Sequence, residues 1–214
     1  WDGYEEIPSW IMQGYGTMVM EADQQLKEQG VERPTHVFVQ AGVGSLAGAV
    51  VGYFAHKYKE NPPVMVVCEA AAADCLYRSA EKKTGDLVNV TGDLQTIMAG
   101  LACGEGNTIG WDILRNPVTV FASCPDWMSA KATRIYANPL EGDPHIVSGE
   151  SGSVPLGLCY TALHDKDAED LKKTLKLDEN SNILVISTEG DTDPVRYREI
   201  VWDGLYGTEE SFSE

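Results

Sequence analysis

The chain has 214 residues, a hydrophobic content of 43% and a formal net charge of −17. This length is enough for one large domain with its own core, and the net negative charge argues against nucleic acid as a partner, because phosphate binding needs a basic surface. No apolar run approaches the roughly 20 residues that a membrane-spanning helix needs, so the sequence predicts no role in a membrane.

The predicted helices and strands alternate along the chain, which is typical of a parallel sheet with helices on its faces. In chain order they are helix 11–30, strand 35–41, helix 46–59, strand 64–69, helix 70–83, helix 93–103, strand 118–122, helix 126–136, a helix within 149–164, helix 167–175, strand 183–187 and helix 194–202. The segment 104–110 is predicted to be a loop, and the segment 149–164 begins with a Ser/Gly-rich loop before its helix. Gly30 predicts the end of the first helix, and Pro194 the first turn of the last. The sequence thus predicts an α/β fold without a second domain boundary.

The five cysteines form no motif that is typical of a metal or redox site. They include no C-x-x-C pair and no cluster with histidine at metal-ligand spacing. Most of the five lie within apolar segments, and the full set is Cys68, Cys75, Cys103, Cys124 and Cys159. The sequence therefore predicts thiols that pack as small hydrophobic side chains, no bound metal, and a reducing compartment, which we take to be the cytoplasm.

The strongest local signal is the segment that follows the predicted strand 35–41. Gly42, Gly44 and Ser45 stand between this strand and the next apolar helix. Glycines let the backbone turn sharply and approach an anion, and the first turn of a helix offers free N–H groups and the positive end of the helix dipole. The Ser45 hydroxyl adds a donor. The segment therefore predicts a phosphate-binding loop.

The loop alone is compatible with three interpretations. It suits the phosphate of a small cofactor. Gly42, Gly44 and Ala47 also satisfy the dinucleotide fingerprint G-x-G-x-x-A, and Glu69 ends the following strand, where a ribose-binding acid belongs. The third interpretation is a tight turn whose small residues serve helix–sheet packing.

Four segments together resemble the fold-type-II pyridoxal-phosphate (PLP) enzymes, a group that includes threonine deaminase, serine dehydratase and O-acetylserine sulfhydrylase. They are similar, in the family's order, to its GQGT…E helix start, its strand and tetraglycine phosphate loop, its E-P-x-G-A element, and its strand that ends in Ser-Gly. The segments are residues 13–17 with Glu21, residues 37–46, residues 149–153 and residues 186–190. The chain departs from the family where Val43 and Ser45 replace two loop glycines and Thr188 replaces the usual glycine.

Within this group, three stretches resemble the diaminopropionate ammonia-lyases: residues 1–15, residues 97–105 and residues 187–194. The resemblance implies that residues 1–214 form the C-terminal portion of a PLP lyase. This portion would comprise mainly the large cofactor-binding domain, similar to the tryptophan synthase β fold. It also implies that the Schiff-base lysine belongs to an N-terminal half outside this chain, since no lysine here has the family's Ser/Asn-x-Phe-Lys setting.

The same resemblance implies roles for individual residues. Gly42, Val43, Gly44 and Ser45 would hold the cofactor phosphate. Ser187 would bond to the pyridine nitrogen, with Thr188 as the nearest competitor for that role; Glu150 would lie close to the ring, or else serve as an acid that complements its helix dipole. Asp2 is not assigned as the general base, and the catalytic residues are not identified.

The implied activity is the α,β-elimination of 2,3-diaminopropionate to pyruvate and ammonia, with PLP as cofactor and a homodimer as the full-length form. Two alternatives are an NAD-dependent Rossmann-type dehydrogenase and another fold-type-II enzyme such as threonine or serine dehydratase. The expected partner is a small amino acid, not nucleic acid or a membrane.

Overall fold

The computed structural model describes residues 5–207 of the chain. Within this part, four parallel strands form one sheet in the order β3-β2-β1-β4. The strands are β1 (His36–Gln40), β2 (Val64–Ala70), β3 (Val120–Cys124) and β4 (Ile183–Val185). The predicted α/β fold with a parallel sheet is confirmed.

Eight α-helices connect or flank the strands in the described part of the chain. They are α1 (Glu6–Glu28), α2 (Ser45–Lys57), α3 (Cys75–Lys82), α4 (Thr108–Leu114), α5 (Asp126–Ala137), α6 (Glu150–His164), α7 (Glu169–Leu175) and α8 (Pro194–Val201). Short 3₁₀ turns lie at Ala71–Ala73, Ala99–Leu101 and Lys166–Ala168. None of the helices in residues 5–207 combines the length and the apolar composition that crossing a membrane requires.

The core is divided by the sheet into two layers, because successive side chains of a strand point to opposite faces. Val37 and Val39 pack on one face with residues of α1, α2 and α4. Phe38 packs on the other face with residues of α6 and α7. Every residue of β1 is buried, which explains why its middle residues, Val37 to Val39, form a continuous apolar run rather than an alternating pattern.

The predicted helix 93–103 is wrong: this segment has only a 3₁₀ turn at Ala99–Leu101. Two of its backbone donors bind distant side chains instead of carbonyls one turn back. Asp126 accepts a hydrogen bond from the N–H of Ile97 at 3.2 Å, and Ser151 Oγ accepts one from the N–H of Gly100 at 3.1 Å. These long-range acceptors replace the helical hydrogen bonds that the apolar pattern suggested.

Helix α4 begins within the segment 104–110, which the sequence predicts to be a loop, and continues to Leu114. Asn107 caps it, since its Oδ1 accepts hydrogen bonds from the N–H groups of Ile109 and Gly110. A glycine within so short a helix lowers the helix propensity, which is why the pattern did not predict it.

Candidate functional site

The predicted phosphate loop and the predicted hydroxyl residues line one cavity at the carboxyl ends of β1 and β4. We call it the strand-end cavity; its volume is about 510 Å³. The loop follows β1 and Ser187 follows β4, and because these strands are parallel neighbours, both segments emerge at the same sheet edge. The lining residues are Tyr15, Met18, Gln40, Ala41, Gly42, Val43, Gly44, Ser45, Leu46, Gly100, Leu101, Cys103, Ser151, Ser187, Thr188 and Glu189.

The loop presents unpaired backbone donors to this cavity. Gly44 occupies the N-cap position of α2 with a φ of 94°, and no side chain caps the helix. The N–H groups of residues 42–46 donate no hydrogen bond to any residue of the described chain. Such donors, together with the helix dipole, form a binding site for an anion.

A phosphate in this cavity would be bound by backbone N–H groups and not by cationic side chains. Among the described residues that line it, Glu189 is the one charged side chain, and there is no lysine, arginine or histidine. The Oε1 atom of Glu189 accepts a hydrogen bond of 2.8 Å from the N–H of Ser151, so this carboxylate caps the start of α6. The site therefore suits the phosphate group of PLP, and none of the lysines in residues 5–207 lies in position to bond covalently to an occupant.

Asn107 braces the phosphate loop and was not predicted from the sequence. Its Nδ2 donates to Ser45 Oγ at 2.8 Å, and its N–H donates to the carbonyl of Val43 at 2.7 Å. Ser45 thus accepts one hydrogen bond and keeps its own proton available to the cavity. The sequence signal was the preference for asparagine at a helix N-cap, which indicates a cap but not a contact with the loop.

The segment after β4 contributes two hydroxyl groups to the lining of the cavity. Ser187 Oγ lies 2.8 Å from Ser148 Oγ, and Thr188 Oγ1 accepts a hydrogen bond of 2.8 Å from Gln40 Nε2. Helix α6 approaches this segment closely at Gly152, where a Cβ atom would lie 3.1 Å from the Thr188 nitrogen and 3.0 Å from Ser148 Oγ. The small residues of α6 therefore allow residues 187 and 188 to sit at the cavity edge.

Glu150 lies apart from the other predicted site residues. It lines a neighbouring cavity of about 480 Å³, the acidic cavity, together with Asp126, Asp193 and Arg196. Burial raises the pKa of Glu150, and the nearby carboxylates of Glu189 and Asp193 add to the effect. Ser151 and Glu189 line both cavities. The structure thus brings the loop, Ser187 and Thr188 together and places Glu150 outside their cavity; its predicted contact with a cofactor ring stays a prediction.

The position of Glu69 does not support the dinucleotide interpretation. Its side chain is fully buried, and its two oxygens accept hydrogen bonds from the N–H groups of Leu76 at 2.9 Å and Tyr77 at 2.6 Å, at the start of α3. Burial raises the pKa of this carboxyl to about 8. Glu69 is absent from the lining of the strand-end cavity, so it could not accept a hydrogen bond from a ribose bound there.

Comparisons with known proteins agree with this site. The pattern of the family described as "Pyridoxal-phosphate dependent enzyme" matches residues 2–189. The diaminopropionate ammonia-lyase of Escherichia coli (strain K12) is 51% identical over 206 residues, which cover 96% of this chain and 51% of that protein. The chain therefore spans about half the length of this relative.

Solved structures show the same relationship. The crystal structure of the E. coli diaminopropionate ammonia-lyase in complex with an aminoacrylate-PLP azomethine intermediate matches with a TM-score of 0.88 and 49% identity. The match covers 96% of this chain and 51% of that one. A fungal L-serine ammonia-lyase from Rhizomucor miehei matches with a TM-score of 0.71 and 23% identity over 92% of this chain and 56% of that one, which shows a shared fold.

The predicted fold-type-II architecture is thereby confirmed, and the dehydrogenase alternative is not favoured. The segment 1–4, which contributed to the predicted resemblance, lies outside the described residues. The match over residues 2–189 nevertheless extends across the whole sheet and the strand-end cavity. The chain belongs to the family of pyridoxal-phosphate dependent enzymes.

Proposed function

We propose that this chain is part of a PLP-dependent ammonia-lyase that converts 2,3-diaminopropionate to pyruvate and ammonia. The observation that carries the proposal is the 51% identity with the E. coli diaminopropionate ammonia-lyase across 96% of the chain. The strand-end cavity supports it, because uncapped amides that suit a phosphate and the hydroxyl groups of Ser187 and Thr188 line the same cavity.

The residues of this chain bind and orient the cofactor. When bound, PLP supplies a ring that delocalises the electron pair left after the substrate loses its α-proton. The N–H groups of residues 42–46 at the start of α2 would hold the phosphate, and Ser45 would add its hydroxyl. Ser187 or Thr188 would offer a neutral hydroxyl to the pyridine nitrogen. It does not force protonation of the ring, which favours elimination over transamination.

The test of this activity is an assay of the complete protein that contains these residues. It should bind PLP with a visible absorption band and release pyruvate from 2,3-diaminopropionate faster than from serine or threonine. Binding of a nicotinamide dinucleotide without such a band would support the dehydrogenase instead. Faster turnover of serine or threonine would support a dehydratase.

We further propose that the chain is the C-terminal portion of the lyase, that the Schiff-base lysine lies outside it, and that the full-length protein is a cytoplasmic homodimer. The half-length match to the relative and the absence of a lysine from the described lining of the cavity support the first two statements. The five free thiols are compatible with a reducing compartment.

The 214-residue chain allows a direct test of the position of the lysine. After addition of PLP and reduction with borohydride, peptide mapping should find no single labelled lysine, because none lies at the cavity. Stoichiometric labelling of one lysine, such as Lys27, Lys57 or Lys131, would contradict the proposal. Sedimentation of the complete protein tests the homodimer.

A further inference from the structure

Gln40 is a buried amide at the edge of the strand-end cavity. It is the last residue of β1, and its side chain is 1% exposed. Strand β4 stops pairing with β1 after Val185, opposite Phe38, although β1 continues for two more residues. The Gln40 side chain bridges this gap, since its Nε2 donates to the carbonyl of Ile186 at 3.0 Å and to Thr188 Oγ1 at 2.8 Å.

The orientation of this amide follows from its partners. The Ile186 carbonyl can only accept a hydrogen bond, so the nitrogen of the Gln40 amide must face it, and the second N–H then points to Thr188. The remaining Gln40 atom, Oε1, is buried and has no hydrogen-bond partner among the described residues. An unpaired buried acceptor is unfavourable, and the two bonds from Nε2 offset that penalty.

This arrangement determines where the Thr188 proton points. Because Gln40 donates to Thr188 Oγ1, the threonine oxygen acts as acceptor and its own proton is left for another partner. No residue in the range 5–207 accepts that proton. Thr188 is exposed and lines the strand-end cavity, so the proton is available to an acceptor atom within it.

Ser187 is in a different situation. Its Oγ lies 2.8 Å from Ser148 Oγ and donates to the carbonyl of Glu189 at 3.3 Å. The serine proton therefore has acceptors inside the protein, whereas the threonine proton has none in the described chain.

We infer that Thr188, rather than Ser187, donates the hydrogen bond to the ring nitrogen of the cofactor, and that Gln40 is a positioning residue that directs the Thr188 hydroxyl into the cavity. The inference rests on the proposed binding of PLP. The family resemblance implies Ser187 as the first candidate for this contact and Thr188 as the competitor, whereas the inference assigns the contact to Thr188. It also gives a function to a buried amide that the fold alone does not require.

The experiment uses the complete protein, reconstituted with PLP that is labelled with ¹⁵N in the ring. Two quantities are measured: the ¹⁵N chemical shift of the bound cofactor and the dissociation constant for PLP. Thr188→Val removes the hydroxyl at nearly constant shape, Thr188→Ser restores it, and Ser187→Ala is the matched control at the neighbouring position. Gln40→Met removes both amide donors at similar length, and Gln40→Met/Thr188→Val completes a double-mutant cycle.

We expect Thr188→Val to move the ring-nitrogen signal toward that of an unbonded pyridine and to weaken PLP binding about tenfold, as the loss of one hydrogen bond does. Thr188→Ser should restore both values, and Ser187→Ala should leave the signal in place. Gln40→Met should shift the signal in the same direction as Thr188→Val, and the double variant should shift it no further than Thr188→Val alone.

Four results would overturn the inference. A signal that moves in Ser187→Ala but not in Thr188→Val would assign the ring contact to Ser187. An unchanged signal in Gln40→Met, or a shift in the double variant equal to the sum of the two single shifts, would show that Gln40 does not act through Thr188. PLP that binds with an unaltered signal in Thr188→Val would show that Thr188 does not contact the ring nitrogen. If the wild-type protein binds no PLP at all, the proposed function itself is wrong.

Discussion

Gly44 holds the phosphate loop in a backbone conformation that other residues disfavour. Its φ of 94° lies in the left-handed region, where a Cβ atom meets the backbone, and a Cβ here would also lie 3.2 Å from Leu76 Cδ1. The amides of the neighbouring residues point to the cavity only while this conformation is kept. One residue thus links backbone geometry to anion binding.

Gly44→Ala should lower the free energy of unfolding by about 1–2 kcal/mol and weaken PLP binding. The matched control is Gly14→Ala in α1, where a new Cβ meets nothing within 4 Å; it should raise the free energy of unfolding by up to about 1 kcal/mol, because alanine is the better helix former. Urea denaturation and PLP titration measure both effects. Equal stability of the two variants would show that the loop does not need the left-handed conformation.

Asp23 joins α1 to α2 through a buried carboxylate. It accepts hydrogen bonds from Lys57 and from Tyr58 Oη, the latter at 2.6 Å, and Lys27 lies 3.2 Å away. Burial by itself raises the pKa of Asp23, but the hydrogen bonds from Lys57, Tyr58 and Lys27 outweigh it and lower the pKa below its ordinary value.

Because folding lowers this pKa, the ionised carboxylate stabilises the fold above its unfolded-state pKa of about 3.9, and this contribution is lost as the pH falls through the lower folded value. Asp23→Asn should therefore lower the free energy of unfolding by about 1–3 kcal/mol at neutral pH and by much less in strong acid. Asp112→Asn, at an exposed pair with Arg115, should change it by less than about 0.5 kcal/mol. A pH-independent loss in Asp23→Asn would contradict the assigned ionisation.

The cavity-lining residues predicted from the sequence were those that follow strands directly. Gly42 to Ser45 and Ser187 could be predicted because the carboxyl ends of parallel strands meet at one sheet edge. Gln40 and Asn107 could not, since their partners lie 146 and 62 residues away along the chain. Glu150 lines the acidic cavity and Ser151, the next residue of α6, lines both cavities, so the contact of Glu150 with a cofactor ring stays a prediction.

At the scale of elements, α4 depends on Asn107 for both its first turn and its contact with the phosphate loop. The Asn107 Oδ1 caps the helix, while its Nδ2 binds Ser45. A single side chain therefore couples the start of one helix to the start of another.

Asn107→Ala should lower the free energy of unfolding by about 1–2 kcal/mol, the usual effect of losing an N-cap. Asn107→Asp keeps the cap oxygen but loses the amide donor to Ser45, so it should retain most of the stability and still weaken PLP binding. Thermal denaturation and PLP titration separate the two roles. A variant Asn107→Asp with unaltered PLP affinity would show that the contact with Ser45 does not matter for the loop.

Elements with strong local patterns agreed with their predictions, and elements set by tertiary contacts did not. The unit β1–α2–β2 could be predicted because its apolar runs are bounded by glycines after β1 and by Pro62 and Pro63 before β2. Helix α3 begins at Cys75, later than expected, where the carboxylate of Glu69 caps the N–H groups of Leu76 and Tyr77. The segment 93–103 is apolar enough for a helix, yet the N–H groups of Ile97 and Gly100 donate to the side chains of Asp126 and Ser151. No local pattern in the sequence reveals these distant acceptors.

In the molecule as a whole, the site lies where two separate parts of the chain meet. The loop after β1 and the segment after β4 are distant in sequence, and the parallel pairing of their strands brings them to one edge of the sheet. Helices α1, α2 and α4 support the sheet on one face and α6 and α7 on the other, so the loop and the hydroxyl residues stand on rigid elements. This arrangement preorganises the site for a small phosphorylated ring.

The most direct test of this account is the crystal structure of the complete protein with PLP bound. We expect the phosphate oxygens within hydrogen-bond distance of the backbone nitrogens of residues 42–46, and the ring nitrogen within hydrogen-bond distance of Thr188 Oγ1. A phosphate that is bound away from the start of α2, or a ring that lies in the acidic cavity beside Glu150, would contradict the account.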